Sequence, residues 1–170
     1  MHYFTTYDSP LGLITLASDG ESLIGLWLDG QKYHSASMSE DKSKRDDLPI
    51  FALAKNWLSR YFDGEKPSVS ELPLAPIGSA FRQDVWRVLC AIPYGEIVTY
   101  GNIAAQVAPD GSKSGSYSRA VGGAVGHNPI SIIIPCHRVI GSSGSLTGYA
   151  GGVDKKVFLL ELEGIKGDMA

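Results

Sequence analysis

The chain has 170 residues, 44% of them hydrophobic and 19% charged, with a net charge of −3. That is enough apolar material for one large domain or two small ones, and the moderate, mixed charge excludes wholesale disorder and a general coating for polyanions. Residues 1–78 carry 7 Lys+Arg against 11 Asp+Glu, a balance of −4, whereas residues 79–170 carry 8 against 7, a balance of +1. Any nucleic acid would therefore meet the second half, through a local site.

Residues 3–28 predict a β-meander. Tyr3–Tyr7, Leu13–Ala17 and Leu23–Leu28 are short apolar-rich runs, separated by the turn signals Ser9-Pro10-Leu11-Gly12 and Asp19-Gly20. The polar stretch Gln31–Asp47 reads as a loop. Pro49 suits the first turn of a helix with Phe51, Ala54, Leu58, Tyr61 and Phe62 on one face and Gly64 stopping it. Pro67, Pro73 and Pro76 mark a linker.

From Ser79 the pattern is helical. Ser79 caps a helix in which Phe81, Val85, Trp86, Leu89 and Ile92 recur at helical spacing, and Pro93 and Gly95 end it. Thr99 caps a second, short helix through Val107. After a polar loop over 109–116 comes Arg119-Ala120-Val121-Gly122-Gly123-Ala124-Val125-Gly126, then an expected strand over Ile130–Ile134. Asp154 is expected to cap a last helix that runs to Glu163.

Three glycines in 119–126 cost a helix about 1 kcal/mol each relative to alanine, so something should offset them. One reading is a close helix–helix contact or simply a loop. The other is a recognition helix stripped of side chains, the second helix of a helix-turn-helix that presses its backbone on a groove.

Two cysteines make no disulfide framework and have no metal-ligand spacing. Cys90 lies near the apolar stripe of its helix and reads as a small buried hydrophobe. Cys136 follows an apolar run, stands after Pro135, and precedes His137 and Arg138, whose positive charge would favour thiolate. Residues adjacent on a strand point to opposite faces, so Cys136 and His137 need an intermediary to cooperate. Glu163 and Glu161 are both acids near the end of the last helix, where they oppose its dipole. The N-terminal stretch lacks a signal-peptide pattern, and no apolar run approaches membrane-spanning length. The expectation is a cytoplasmic or nucleoid-associated protein.

Several ordered motifs together resemble the O6-alkylguanine-DNA alkyltransferases. They are Phe81-Arg82-Gln83-Asp84-Val85-Trp86, Pro93-Tyr94-Gly95-Glu96 with Tyr100 beyond, Arg119-Ala120-Val121-Gly122, Asn128-Pro129, Pro135-Cys136-His137-Arg138-Val139 and Gly148-Tyr149-Ala150-Gly151-Gly152. The match is close over about residues 79–165 and loose before them. The resemblance implies an α/β (α+β) fold: a ribonuclease-H-like small β-sheet domain over 1–75, and a helical, winged-helix-like domain with a helix-turn-helix over 79–165.

It also implies roles. Cys136 is the nucleophile, His137 activates it through a bridging water, Glu163 orients His137, and Asn128 ties the recognition helix to the active-site wall. Tyr100, Val139, Gly148, Tyr149, Ala150 and Gly151 form the base pocket. Tyr100, Arg119, Ala120, Gly122 and Gly123 meet DNA, with Arg119 filling the vacancy left by the flipped base and Tyr100 helping to rotate the nucleotide. The implied reaction is direct repair: an O6-alkylguanine, and possibly an O4-alkylthymine, is flipped from the duplex minor groove. Its alkyl group passes irreversibly to Cys136. No cofactor or metal is implied, and residues 1–78 contain no cysteine for an N-terminal zinc site. The expected form is a monomer. The 109–117 loop is longer than in many relatives. Two rivals come from other classes. A thiol hydrolase would turn over and need an oxyanion hole, and a non-catalytic lesion-binding module would lack the cysteine.

Overall fold

A computed structural model describes residues 1–108, 115–141, 143–144, 146 and 149–165, with the side chains of 115 and 116 outside the description. It divides into two compact units: Met1–Ile77 with Pro129–Ser131, and Gly78–Asn128 with the chain from Ile132 onward.

The first unit is built on β1 (His2–Ser9), β2 (Gly12–Ser18) and β3 (Leu23–Leu28), an antiparallel meander. Ser9 pairs with Gly12, so Pro10 and Leu11 alone make the first turn. At the second turn the Asp19 carboxylate accepts from the amides of Glu21 and Ser22. The polar stretch expected as loop contains a short strand, β4 (Lys42–Lys44), parallel to β1, which gives the sheet order β3-β2-β1-β4. Its exposed lysines give no apolar signal; backbone pairing alone makes it a strand. Helix α1 (Pro49–Phe62) packs on β1, β2 and β3 with Phe51, Ala54, Leu58 and Tyr61 buried. Trp57 joins that face: its ring stacks on Tyr61 and its indole N–H donates to Ser68 O at 2.8 Å. Phe62, expected there too, is only partly buried. The proline-marked linker holds a 3-10 turn, Val69–Glu71, with a reciprocal cap between Ser68 and Glu71.

Every residue of β3 is buried although it is the edge strand. Two extended segments satisfy its outer backbone groups. The Leu23 amide donates to Pro73 O and its carbonyl accepts from Ala75, while the Leu26 amide donates to Pro129 O and its carbonyl accepts from Ser131. A bare edge is thus covered.

The second unit holds α2 (Ala80–Cys90), α3 (Tyr100–Val107) and α4 (Gly115–Gly126), which pack on one another. Ser79 and Thr99 cap α2 and α3 through their side-chain oxygens, as their sequence positions predict. The Trp86 indole donates to Ala124 O at 2.9 Å and fastens α2 to α4. A two-residue parallel ladder joins β5 (Val98–Thr99) to β6 (Val139–Ile140), and α5 (Val153–Leu162) packs on the 3-10 turn Cys136–Arg138.

Two expectations need correction. Ile130–Ile134 is not a strand: Ile130 makes one isolated bridge to Leu26, and the chain then turns, with Ile132 at φ +69°. The Ile134 carbonyl accepts from the Cys136 amide at 2.8 Å and from Asn128 Nδ2 at 2.9 Å, and Pro135 has no N–H to offer a ladder. The isoleucines are buried as core all the same. Secondly, Asp154 does not cap α5. Gly152, at φ +102°, holds that place, and Asp154 lies inside the first turn, where its charge suits the helix dipole.

One glycine of the meander is fixed by close packing. A Cβ on Gly25 would stand 2.1 Å from the Trp27 ring, which is itself buried among Ala17, Ile24, Met38 and Ala75. Gly25→Ala should destabilise the first unit by about 1–3 kcal/mol through overpacking, read as a lower urea midpoint by tryptophan fluorescence.

Candidate active site

Cys136 opens the 3-10 turn and is 4% exposed. Burial pushes its thiol pKa up to about 11, while a hydrogen bond with the Asn128 side chain and the charge of Lys156 pull it back. Asn128 stands two residues beyond α4, itself buried, and its amide N–H also donates to Ile134 O. One side chain therefore connects the end of α4 to the sulfur.

His137 and Glu163 are both buried. His137 Nε2 lies 2.6 Å from Glu163 Oε2. A carboxylate only accepts, so Nε2 carries the hydrogen and Nδ1 is the proton-accepting nitrogen of the neutral ring. Arg138 grips the same carboxylate, with Nε donating to Oε1 at 2.7 Å and Nη2 to Oε2 at 3.1 Å, while its Nη1 donates to Ile92 O at 2.6 Å. The Gly95 amide adds a bond to Oε1 at 3.0 Å. Gly95 has φ +82° and a Cβ there would meet Glu163 O at 3.2 Å, so this approach requires glycine. Tyr94 beside it donates to Leu162 O at 3.2 Å and lies under the Arg138 guanidinium.

These contacts settle the protonation states. Burial opposes the Glu163 charge, but His137 and Arg138 hold its carboxyl far below the usual carboxylate range. Stability from a depressed carboxylate is present in full above its unfolded pKa and is lost as pH falls through the folded one, so this ion pair fails only in acid. Burial lowers the His137 pKa, and Glu163 raises it against that effect while Arg138 and Lys156 lower it further. Neutral imidazole is the resting form. Glu161 is exposed. Of the two candidate acids, Glu163 is the one at His137.

Arg138 does not lend its charge to the thiol in the way its sequence position suggests, because the guanidinium is committed to Glu163. The charge that reaches the sulfur comes from a residue the sequence reading passed over. Lys156 is fully buried, its ammonium donates to Val139 O at 2.5 Å, burial lowers its pKa to about 8, and the Cys136 charge raises it. The signal was present: Lys156, Leu159, Leu160 and Glu163 form one i, i+3, i+4, i+7 stripe on α5, so a lysine sits where a core residue belongs.

Tyr100, the first residue of α3, feels the same sulfur: burial raises its phenol pKa and the Cys136 charge adds to that. Val139 is fully buried in β6 and Tyr149 is 8% exposed, while Ala150 and Gly151 are partly exposed. Gly148 and most of the 109–117 loop lie outside the described residues. On α4, Arg119, Ala120 and Gly123 are exposed and Gly122 is partly so. A Cβ added at Gly122, Gly123 or Gly126 would meet nothing within 4 Å. The glycines are thus in a helix, and they make no close helix–helix contact. The face they keep low is turned outward. Cys90, by contrast, has its pKa raised by burial with no opposing charge. Among the described residues no cluster of His, Cys, Asp and Glu suits a metal ion, and no helix is long and apolar enough to cross a membrane.

Comparisons with known proteins agree along the chain. Residues 80–165 match the family described as 6-O-methylguanine DNA methyltransferase, DNA binding domain, and residues 2–76 match its ribonuclease-like domain. The methylated-DNA–protein-cysteine methyltransferase of Haemophilus influenzae is 44% identical over 163 residues, covering 96% of this chain and 87% of that protein. Its counterpart in Methanosarcina acetivorans is 44% identical over 163 residues, covering 95% and 98%. The crystal structure of Mycobacterium tuberculosis OGT in complex with DNA is similar at a TM-score of 0.82 and 44% identity, over 95% of this chain and 92% of that one. The site geometry and these matches together place the chain in the 6-O-methylguanine DNA methyltransferase family.

Proposed function

We propose that this chain repairs DNA by moving the alkyl group of an O6-alkylguanine onto Cys136, once per molecule. The observation that carries the reading is the Asn128 link: α4, with its open glycines and exposed Arg119, ends two residues before the side chain that hydrogen-bonds the buried sulfur. A helix shaped for a groove wall and a nucleophile below the surface are then two parts of one device. A base in the stack cannot reach a sulfur that is 4% exposed, so the nucleotide must turn out of the duplex.

In this reading residues 1–75 form the N-terminal domain and 79–165 the alkyltransferase domain, acting as a cytoplasmic monomer on the minor groove. Small residues suit that narrow groove. His137 Nδ1 accepts the thiol proton through a water, with Glu163 fixing the ring and Asn128 favouring thiolate. Sulfur attacks the alkyl carbon, the C–O6 bond breaks towards guanine, and guanine takes up a proton. Tyr100, close enough to feel the sulfur's charge, is placed to donate to the departing base. A thioether on carbon has no hydrolytic exit, so the site is consumed. Arg119 takes the vacated place in the stack, and Val139, Tyr149, Ala150 and Gly151, with Gly148, shape the base pocket.

An oligonucleotide duplex with one O6-methylguanine tests this directly. Mass spectrometry should find one methyl on Cys136, none on Cys90, and one guanine restored per protein. Sustained turnover by a trace of protein would make it a hydrolase instead.

The α4 reading makes a second, less usual prediction. Replacing Gly122 and Gly123 by alanine should stabilise the helix by up to about 1 kcal/mol each, since the methyls have open space. Repair of duplex DNA should nevertheless slow far more than reaction with free O6-benzylguanine. Arg119→Ala should show the same split, measured by single-turnover kinetics on the two substrates.

A further inference from the structure

The charges on the ionisable groups at the sulfur do not balance, and the Tyr100 phenol, its pKa raised by burial, adds none. Glu163 is negative and Arg138 positive, and they neutralise each other through two hydrogen bonds. His137 is neutral, and the Cys136 thiol is neutral at rest. Lys156 remains, an ammonium with no solvent exposure and no carboxylate within ion-pair distance among the described residues. Among the described residues its hydrogen-bond partner is a carbonyl oxygen, that of Val139. Burying an unpaired cation is strongly unfavourable, and a methionine would fill the same stripe of α5 without that penalty. The surplus charge makes sense if an anion forms beside it. Geometry says which anion: α5 packs on the turn that Cys136 opens, and Lys156 Nζ holds the carbonyl of Val139, whose own amide donates to Cys136 O. Each of the two groups also feels the other's charge, so the sulfur is that anion.

We propose that the Lys156 ammonium is the counter-charge of the Cys136 thiolate, so that the positive charge facing the sulfur during transfer comes from α5 and not from an imidazolium on His137 or from Arg138. This rests on the alkyl-transfer reading for its place in catalysis. His137 and Lys156 then divide the work of deprotonation. The imidazole accepts the proton, and the ammonium holds the charge left behind. Lys156 keeps its own proton throughout. The thiol's proton ends on guanine, the S–C bond replaces the C–O6 bond, and the buried charge of the site is the same before and after.

The test is the pH dependence of carboxamidomethylation by iodoacetamide, with Cys136 and Cys90 followed separately by peptide mass spectrometry. Cys90 serves as internal reference, since no charge bears on it. Lys156→Gln is neutral yet still able to donate to Val139 O. It should move the Cys136 profile about one to three pH units alkaline, at least tenfold slower at pH 7.5, and leave the Cys90 profile in place. Lys156→Arg should restore most of the neutral-pH rate. Should Lys156→Gln not fold, Lys156→Met carries the same test with an apolar chain of similar length.

An unmoved Cys136 profile in the folded neutral variant would overturn the proposal, as would a profile in Lys156→Arg shifted as far as in Lys156→Gln. A purely structural lysine would instead lower the unfolding midpoint and leave the thiol titration alone. The wild type's reaction with methylated duplex is scored separately. If Cys136 takes no methyl from DNA, the repair reading fails, whereas the iodoacetamide profiles still decide the role of Lys156.

Discussion

The Glu163 carboxylate is the point on which the second unit's buried polar network depends. It stands at the end of α5 and receives N–H groups from three places in the chain: His137, Arg138 and Gly95. Each contact constrains a different quantity. The bond from His137 fixes which ring nitrogen is basic. The Arg138 fork keeps the carboxylate ionised in a dry setting, and the Gly95 amide holds the Pro93–Gly95 turn against the end of α5. Removing one partner from such a buried set typically costs about 3–5 kcal/mol, because a charge is left without compensation. Site geometry and stability are therefore the same interaction here.

The network also explains why two neighbouring basic residues behave differently. His137 and Arg138 are consecutive, yet one ends as a neutral base and the other as a permanent cation that cancels an acid. The 3-10 turn makes this possible, since it lets both side chains reach one carboxylate. An extended strand would have sent them to opposite faces.

Much of the fold was legible in the sequence because it rests on local signals. Ser79 and Thr99 cap their helices through hydrogen bonds that any sequence with those residues in that place tends to form. The meander's turns at Pro10–Leu11 and Asp19–Gly20 are equally local. Three features were not legible, for distinct reasons. β4 is polar and exists only through pairing with β1. The isoleucine run is buried without being a strand, and period alone cannot separate those cases. Arg138 was given a charge that Glu163 had already claimed. At the site, Cys136, His137, Asn128 and Glu163 were legible as a set only through motif resemblance, since their contacts span 128 to 163. Lys156 was hidden by the ordinary expectation that a lysine on an amphipathic helix faces water.

A sulfur that is 4% exposed and held mainly as thiol has a consequence beyond the transfer itself. Oxidation by peroxide and exchange with small disulfides both proceed through accessible thiolate, so low exposure and a raised pKa slow both. Under the proposed single-use reaction, a molecule whose sulfur has become a sulfinic acid has lost its nucleophile. Keeping the sulfur protonated until a base enters beside it is thus also a form of storage, which under the proposed function preserves the one equivalent each molecule has to give.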